Sequence, residues 1–142
     1  MGVRAQDGLA KRSVHHLDFD ALVLINKEVV SLTGEEHQFN GEDARGMKSL
    51  LRDVEEAGAG EDLEETLLAK ASLLMFGIAS GQHFHEGNKR TALVAGIAFL
   101  QMNGRAVDIR DEGLVGVIDR AGVGRATLND LTAKLRSLVK HV

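Results

Sequence analysis

The sequence predicts an all-helical domain: a bundle around one central buried helix, with a small flap loop or hairpin on its edge. Three observations carry that expectation. Apolar residues recur at three- and four-residue spacing in successive segments. Glycines or cap-forming polar residues separate those segments. No stretch alternates apolar and polar residues over the length of a half-buried strand.

The elements follow in order. Residues 1–17 are polar, lack periodicity and contain His15-His16, which reads as a flexible N-terminal arm ahead of a single domain at 18–142. Asp18 is placed to cap a helix reaching about Leu32, with Phe19, Leu22, Val23, Ile25, Val29 and Val30 as its apolar stripe and Gly34 as its stop. Residues 35–46 read as a polar loop with a tight turn at Asn40-Gly41. A short amphipathic helix then carries Met47, Leu50, Leu51 and Val54, before a glycine-rich break from Ala57 to Gly60.

From Asp62, the spacing Leu63, Leu67, Ala71, Leu74, Ile78 predicts a helix that ends at Gly81. A second long helix is expected from about Gly87 to Met102. Its stretch TALVAGIAFL is apolar on every side, the pattern of a helix enclosed by neighbours. Asn103-Gly104 stops it, and Ala106 to Ile109 reads as a brief extended stretch. Asp111 caps the next helix, with Leu114, Val117 and Ile118 inward. The last helix opens on a capping box of Thr127 and Asp130 and carries Leu128, Leu131, Leu135, Leu138 and Val139.

Composition narrows the function. A net charge of −4 over 142 residues provides no basic footprint for sequence-independent binding to nucleic acid. Cysteine is absent, which removes disulfides, thiol nucleophiles and cysteine zinc sites. No run approaches the roughly 18 apolar residues of a membrane span, so the expected setting is the cytoplasm, without membrane contact.

The chemistry concentrates between Gly81 and Thr91, in the stretch QHFHEGNKR. A polar loop feeds directly into the N-terminus of the apolar helix, where unpaired N–H groups and the helix dipole attract phosphate. Gly87 permits close backbone approach, and Lys89 and Arg90 supply charge-assisted donors. Glu86 is a hard oxygen ligand suited to magnesium bridging those phosphates. Phe84, among charged neighbours, reads as the anchor of the loop. A plainer reading stands beside this one: Glu86 and Asn88 cap a helix, and Lys89 and Arg90 are solvated.

The same stretch resembles the signature of the Fic/Doc (Fido) family. Phe84, Glu86, Gly87, Asn88, Lys89 and Arg90 match in register, followed by the TAL typical of the Doc-like, death-on-curing branch. The stretch GEDARGMKSLL is also similar to that branch's segment before its two core helices. The resemblance implies a Fido-type bundle and an ATP- and magnesium-dependent transferase that phosphorylates or AMPylates a protein hydroxyl. It implies that Glu86 coordinates magnesium and that the backbone around Gly87 to Lys89 forms an anion hole. Asn88 would brace the loop, Arg90 would pair with a phosphate, and residues 35–46 would be the flap that clamps an extended target segment. Lys89 is the Doc-like residue where adenylylating members have a second glycine, while Gly87 matches the adenylylating form, so the transferred group stays open. The branch further implies the toxin of a toxin–antitoxin pair, a translation factor as its target by analogy, and a separate antitoxin chain as its control.

One departure weighs on the reaction. The family's general base is a His eight residues before the Arg, and here that position holds Gln82, which cannot accept a proton from an attacking hydroxyl. His83 is a candidate substitute base, although a one-residue shift turns a loop side chain elsewhere. A zinc site of His83, His85 and Glu86 is a further reading, with no outlying ligand to complete it. Gln82 is either a natural degenerate site or an introduced change, and either origin implies an impaired enzyme. The alternative function is an inactive nucleotide-binding or helical protein-interaction module. The string SLTGEE (Ser31 to Glu36) only partly resembles the family's inhibitory motif and reads better as a helix C-terminus.

Overall fold

The computed structural model describes residues 14–39 and 43–142. Its described residues form α1 (Phe19–Ser31), α2 (Asp43–Glu56), α3 (Leu63–Gly81), α4 (Asn88–Met102), α5 (Glu112–Gly122) and α6 (Leu128–Leu138). Two short strands, β1 (Arg105–Ala106) and β2 (Lys140–His141), complete it. The fold is all-helical, as the periodicity predicts.

The helix starts follow local chemistry. Asp18 accepts a hydrogen bond from the Ala21 amide at 2.8 Å, Asp62 from Glu65 at 2.9 Å and Asp111 from Leu114 at 2.9 Å. In the capping box, Thr127 Oγ1 accepts from the Asp130 amide at 3.1 Å and the Asp130 carboxylate from the Thr127 amide at 2.8 Å. Each cap satisfies a donor that the helix itself leaves unpaired. At the far end of α1, the Glu35 amide returns to the Val30 carbonyl at 3.1 Å and Gly34 takes a φ of 79°. SLTGEE is therefore a helix terminus.

The hub of the bundle is α3. It packs against α2, α4, α5 and α6, while α4 lies along it and touches α1, α5 and β1. Leu67, Ala71, Leu74, Met75 and Ile78 are buried along α3, facing Ala92, Ala95, Phe99 and Leu100 on α4. Gly96 lets the two helices approach closely, because a Cβ there would sit 2.2 Å from Met75 Cε.

Four expectations need correction. Residues 1–13 and the Asn40-Gly41 turn lie outside the described residues, but the arm's last part, Val14 to Leu17, is tied down. Val14 is buried, and the Asn103 side chain bonds the His15 amide at 2.8 Å and its carbonyl at 2.9 Å. Second, α2 begins at Asp43 inside the expected 35–46 loop. Its first turn precedes Met47, the first residue of the apolar stripe, so periodicity cannot register it.

Third, α4 is not enclosed all round. Leu93 and Val94 line an apolar groove of about 580 Å³ with Leu24, Ile25 and Leu32 of the α1 region and Ile109. Fourth, the extended stretch expected at 106–109 is β1 at Arg105–Ala106, which pairs antiparallel with β2, Arg105 opposite His141.

The β1–β2 clasp is locked to the start of α3. Arg105 Nε donates to both Glu64 oxygens, at 2.9 and 3.2 Å, its Nη2 pairs with the same carboxylate, and His141 Nε2 lies 3.0 Å from Glu64 Oε1. The Arg105 guanidinium holds the Glu64 carboxyl below its ordinary range. A carboxyl depressed in the folded state contributes stability above its unfolded pKa and loses it as pH falls through the folded value. We therefore expect Glu64→Gln to cost about 0.5–1 kcal/mol at pH 7, the ceiling for a half-exposed pair. That penalty should shrink in thermal melts as the pH falls below the ordinary Glu range, and disappear once the parent's carboxyl is protonated in the folded state as well.

Candidate active site

The loop between α3 and α4 is built from its backbone outward. α3 ends on Gln82 in the left-handed conformation, with a φ of 52°. The Gln82 amide donates to the Ala79 carbonyl at 2.9 Å and reaches the Gly122 carbonyl of α5 at 3.4 Å, joining two helix C-termini. The chain then turns inward. Phe84 is fully buried, stacked 5.2 Å from Phe39, which in turn stacks 5.6 Å from Phe19. Phe39 and Phe84 form an antiparallel bridge, and the His85 amide donates to the Gln38 carbonyl at 2.8 Å. The described part of the 35–46 segment is thus paired with the loop between α3 and α4.

Asn88 braces the turn from inside. Its Nδ2 donates to the Phe84 carbonyl at 2.8 Å, and its Oδ1 accepts from the Phe84 amide at 2.9 Å. Gly87 starts α4 with a φ of 78° and no side-chain cap. A Cβ at Gly87 would come within 3.0 Å of Val30 and 3.1 Å of Val29, so glycine answers both the dihedral and the space.

These features frame one cavity of about 340 Å³. Val29, Val30 and Thr33 of the α1 end form one wall, and Gln82 and residues 85–90 form the rest. The structure brings together Gln82, Glu86, Gly87, Asn88, Lys89 and Arg90. Among the described residues, the side chains of Glu86, Lys89 and Arg90 have no hydrogen-bond or ion-pair partner. The Lys89 stem runs over Gly122, where a Cβ would sit 2.7 Å from its Cε.

His83 is set apart. It is buried, its ring packs over Gly81, and it is not part of the cavity wall, whereas His85 is. Among the described residues, no group of three His, Cys, Asp or Glu converges as a metal cage. Glu86, beside the uncapped N-terminus of α4, is a hard oxygen donor of the kind a magnesium ion takes.

Sequence reading missed Asn26. It stands on α1, wholly buried, in the row of Leu22, Val29 and Val30. Its Nδ2 donates to the Glu86 carbonyl at 3.0 Å and to Thr91 Oγ1 at 3.1 Å, and its Oδ1 lies 2.8 Å from His37 Nδ1. A polar amide at helical spacing inside an apolar stripe is the signal that marks it. Burial lowers the His37 pKa, with help from Lys27, so the ring is neutral at pH 7.

No helix among the described residues is long and apolar enough to cross a membrane. No curated protein matches the chain. The family model described as Fic/DOC family matches residues 16–100, a span from the docked end of the arm through α1, the flap, both core helices and the loop between them. Since that match takes in more than half of the chain and the whole cavity, the protein belongs to the Fic/DOC family.

Proposed function

We propose that the cavity binds ATP with Mg²⁺ and that the protein is a Doc-like toxin, impaired as an ATP-dependent transferase because Gln82 occupies the position of the base. One observation carries this reading. Two cations and a carboxylate, each without an ion-pair partner among the described residues, line a single cavity of a Fic/DOC chain together with an uncapped helix N-terminus. Glu86 would hold Mg²⁺, whose chemistry when bound is to neutralise phosphate charge. The amides of Gly87 to Lys89 and the Arg90 guanidinium would hold the phosphates. The acceptor is a hydroxyl of a target protein laid against the flap, a translation factor by family analogy.

Lys89 matches the phosphorylating form and Gly87 the adenylylating one, and mass spectrometry of proteins modified by an active form distinguishes an added phosphate from an added AMP. A separate antitoxin chain would supply its control. The second reading, an inactive nucleotide-binding module, is favoured by the Gln82 amide, which is already committed to the Ala79 and Gly122 carbonyls.

Calorimetric titration tests the binding reading. The parent should bind ATP only with magnesium, and Arg90→Ala should weaken binding about 10- to 100-fold, the value of a charge-assisted hydrogen bond to phosphate. A parent that ignores Mg²⁺–ATP, or an Arg90→Ala variant that binds it equally well, would overturn the assignment.

A further inference from the structure

The geometry points to Asn26 as the residue that positions the phosphate-binding loop, linking its conformation to the flap through His37. The inference rests on reading the cavity as the ATP-phosphate site.

Asn26 belongs to neither the loop nor the flap, yet it bonds to both. The Glu86 carbonyl can only accept, so the amide nitrogen of Asn26 must face it. That choice turns Oδ1 toward the flap, and His37 Nδ1 must then carry a proton and donate. Every hydrogen bond in the cluster has one direction: His37 to Asn26, and Asn26 to Glu86 and Thr91.

The bond to Glu86 matters because of where the carbonyl stands. It belongs to the peptide that leads into Gly87, whose left-handed conformation opens α4 on the wall of the cavity that Gly87, Asn88 and Lys89 line. Fixing the Glu86 carbonyl fixes that peptide plane. Thr91, one turn into α4, is held by the same amide, so Asn26 grips both ends of the turn that would carry the phosphates. A Cβ at Gly87 would lie 3.5 Å from Asn26 Nδ2, which shows how closely the loop rests on this residue. On the flap side, His37 contacts the Phe39 and Phe84 rings at 4.9 and 5.6 Å between centroids. Any shift of the flap that moves His37 therefore alters what holds Asn26 Oδ1.

Two pairs of variants separate positioning from packing. Asn26→Asp keeps the shape but replaces the donor with an acceptor. His37→Asn keeps a donor near the Nδ1 position, and His37→Leu removes it. Each is measured by melting temperature, by Mg²⁺–ATP calorimetry and by the amide resonances of Gly87, Asn88 and Lys89.

Asn26→Asp should bind Mg²⁺–ATP about tenfold more weakly or worse, the value of one well-formed buried hydrogen bond, and should displace all three resonances. His37→Leu should follow it in the same direction, and His37→Asn should stay within about twofold of the parent. A folded Asn26→Asp with parental resonances overturns the inference. If Asn26→Asp does not fold, parental resonances in His37→Leu overturn it instead. A parent that binds no Mg²⁺–ATP defeats the nucleotide reading, and the resonances still decide the role of Asn26.

Discussion

Gln82→His is expected to raise transferase activity about 100- to 10,000-fold, the usual contribution of a positioned general base. Every other group proposed for phosphate and metal binding already faces the cavity, and Gln82 itself stands on its wall. The backbone there has a φ of 52°, a conformation that His adopts more readily than most side chains, so the exchange should leave the loop intact. Its cost is the amide's hydrogen bond to the Ala79 carbonyl, a cap on α3. We would express both forms under tight control, compare growth, and search the lysate for modified proteins. A folded, ATP-binding Gln82→His form that modifies nothing would favour the binding-module reading. An active parent silenced by His83→Ala would make His83 the base, despite its burial over Gly81.

Phe84→Ala is expected to be the most destabilising single change in the site, at about 3–5 kcal/mol. The ring is fully buried and anchors a stack that runs through Phe39 to Phe19, with the His37 edge against it. Removing it leaves a cavity where the loop, the flap and α1 meet, and a chain this small cannot refill that space without moving one of them. The melting temperature should fall by roughly 10 °C, on a scale of about 2–4 °C per kcal/mol for chains near this length. Thermal melts followed by circular dichroism measure it. A shift below a few degrees would mean that the flap and loop do not depend on this ring.

The features legible in the sequence are those whose cause lies within a few residues. Asp18, Asp62, Asp111 and the Thr127–Asp130 box each cap the helix they precede, because a cap needs only a short polar side chain three residues from an unpaired amide. The apolar stripes report the buried faces, since helical geometry brings residues three and four apart onto one side. The loop was legible for the same reason: Asn88 braces Phe84 four residues away, and Gly87 makes its own turn. Where apolar spacing is the only signal, a first turn that precedes the apolar stripe escapes it, as the start of α2 at Asp43 did.

What the sequence by itself determined, then, is an all-helical chain with a polar, glycine-containing loop entering α4. Tertiary structure alone decided who meets whom across long separations. It put Lys70 beneath the end of α2, where its Nζ donates to the Val54 and Glu55 carbonyls and burial lowers its pKa. It closed the cavity with Val29, Val30 and Thr33, opened one flank of α4 as an apolar groove, and paired Arg105 with Glu64. It also joined Asn26 to Glu86, 60 residues apart in the chain. The apolar stripe marks Asn26 as an odd polar residue, but no local signature names any of these partners. A buried donor or charge is tolerated only where the finished packing supplies its partner, and that partner is unknown until the helices have docked.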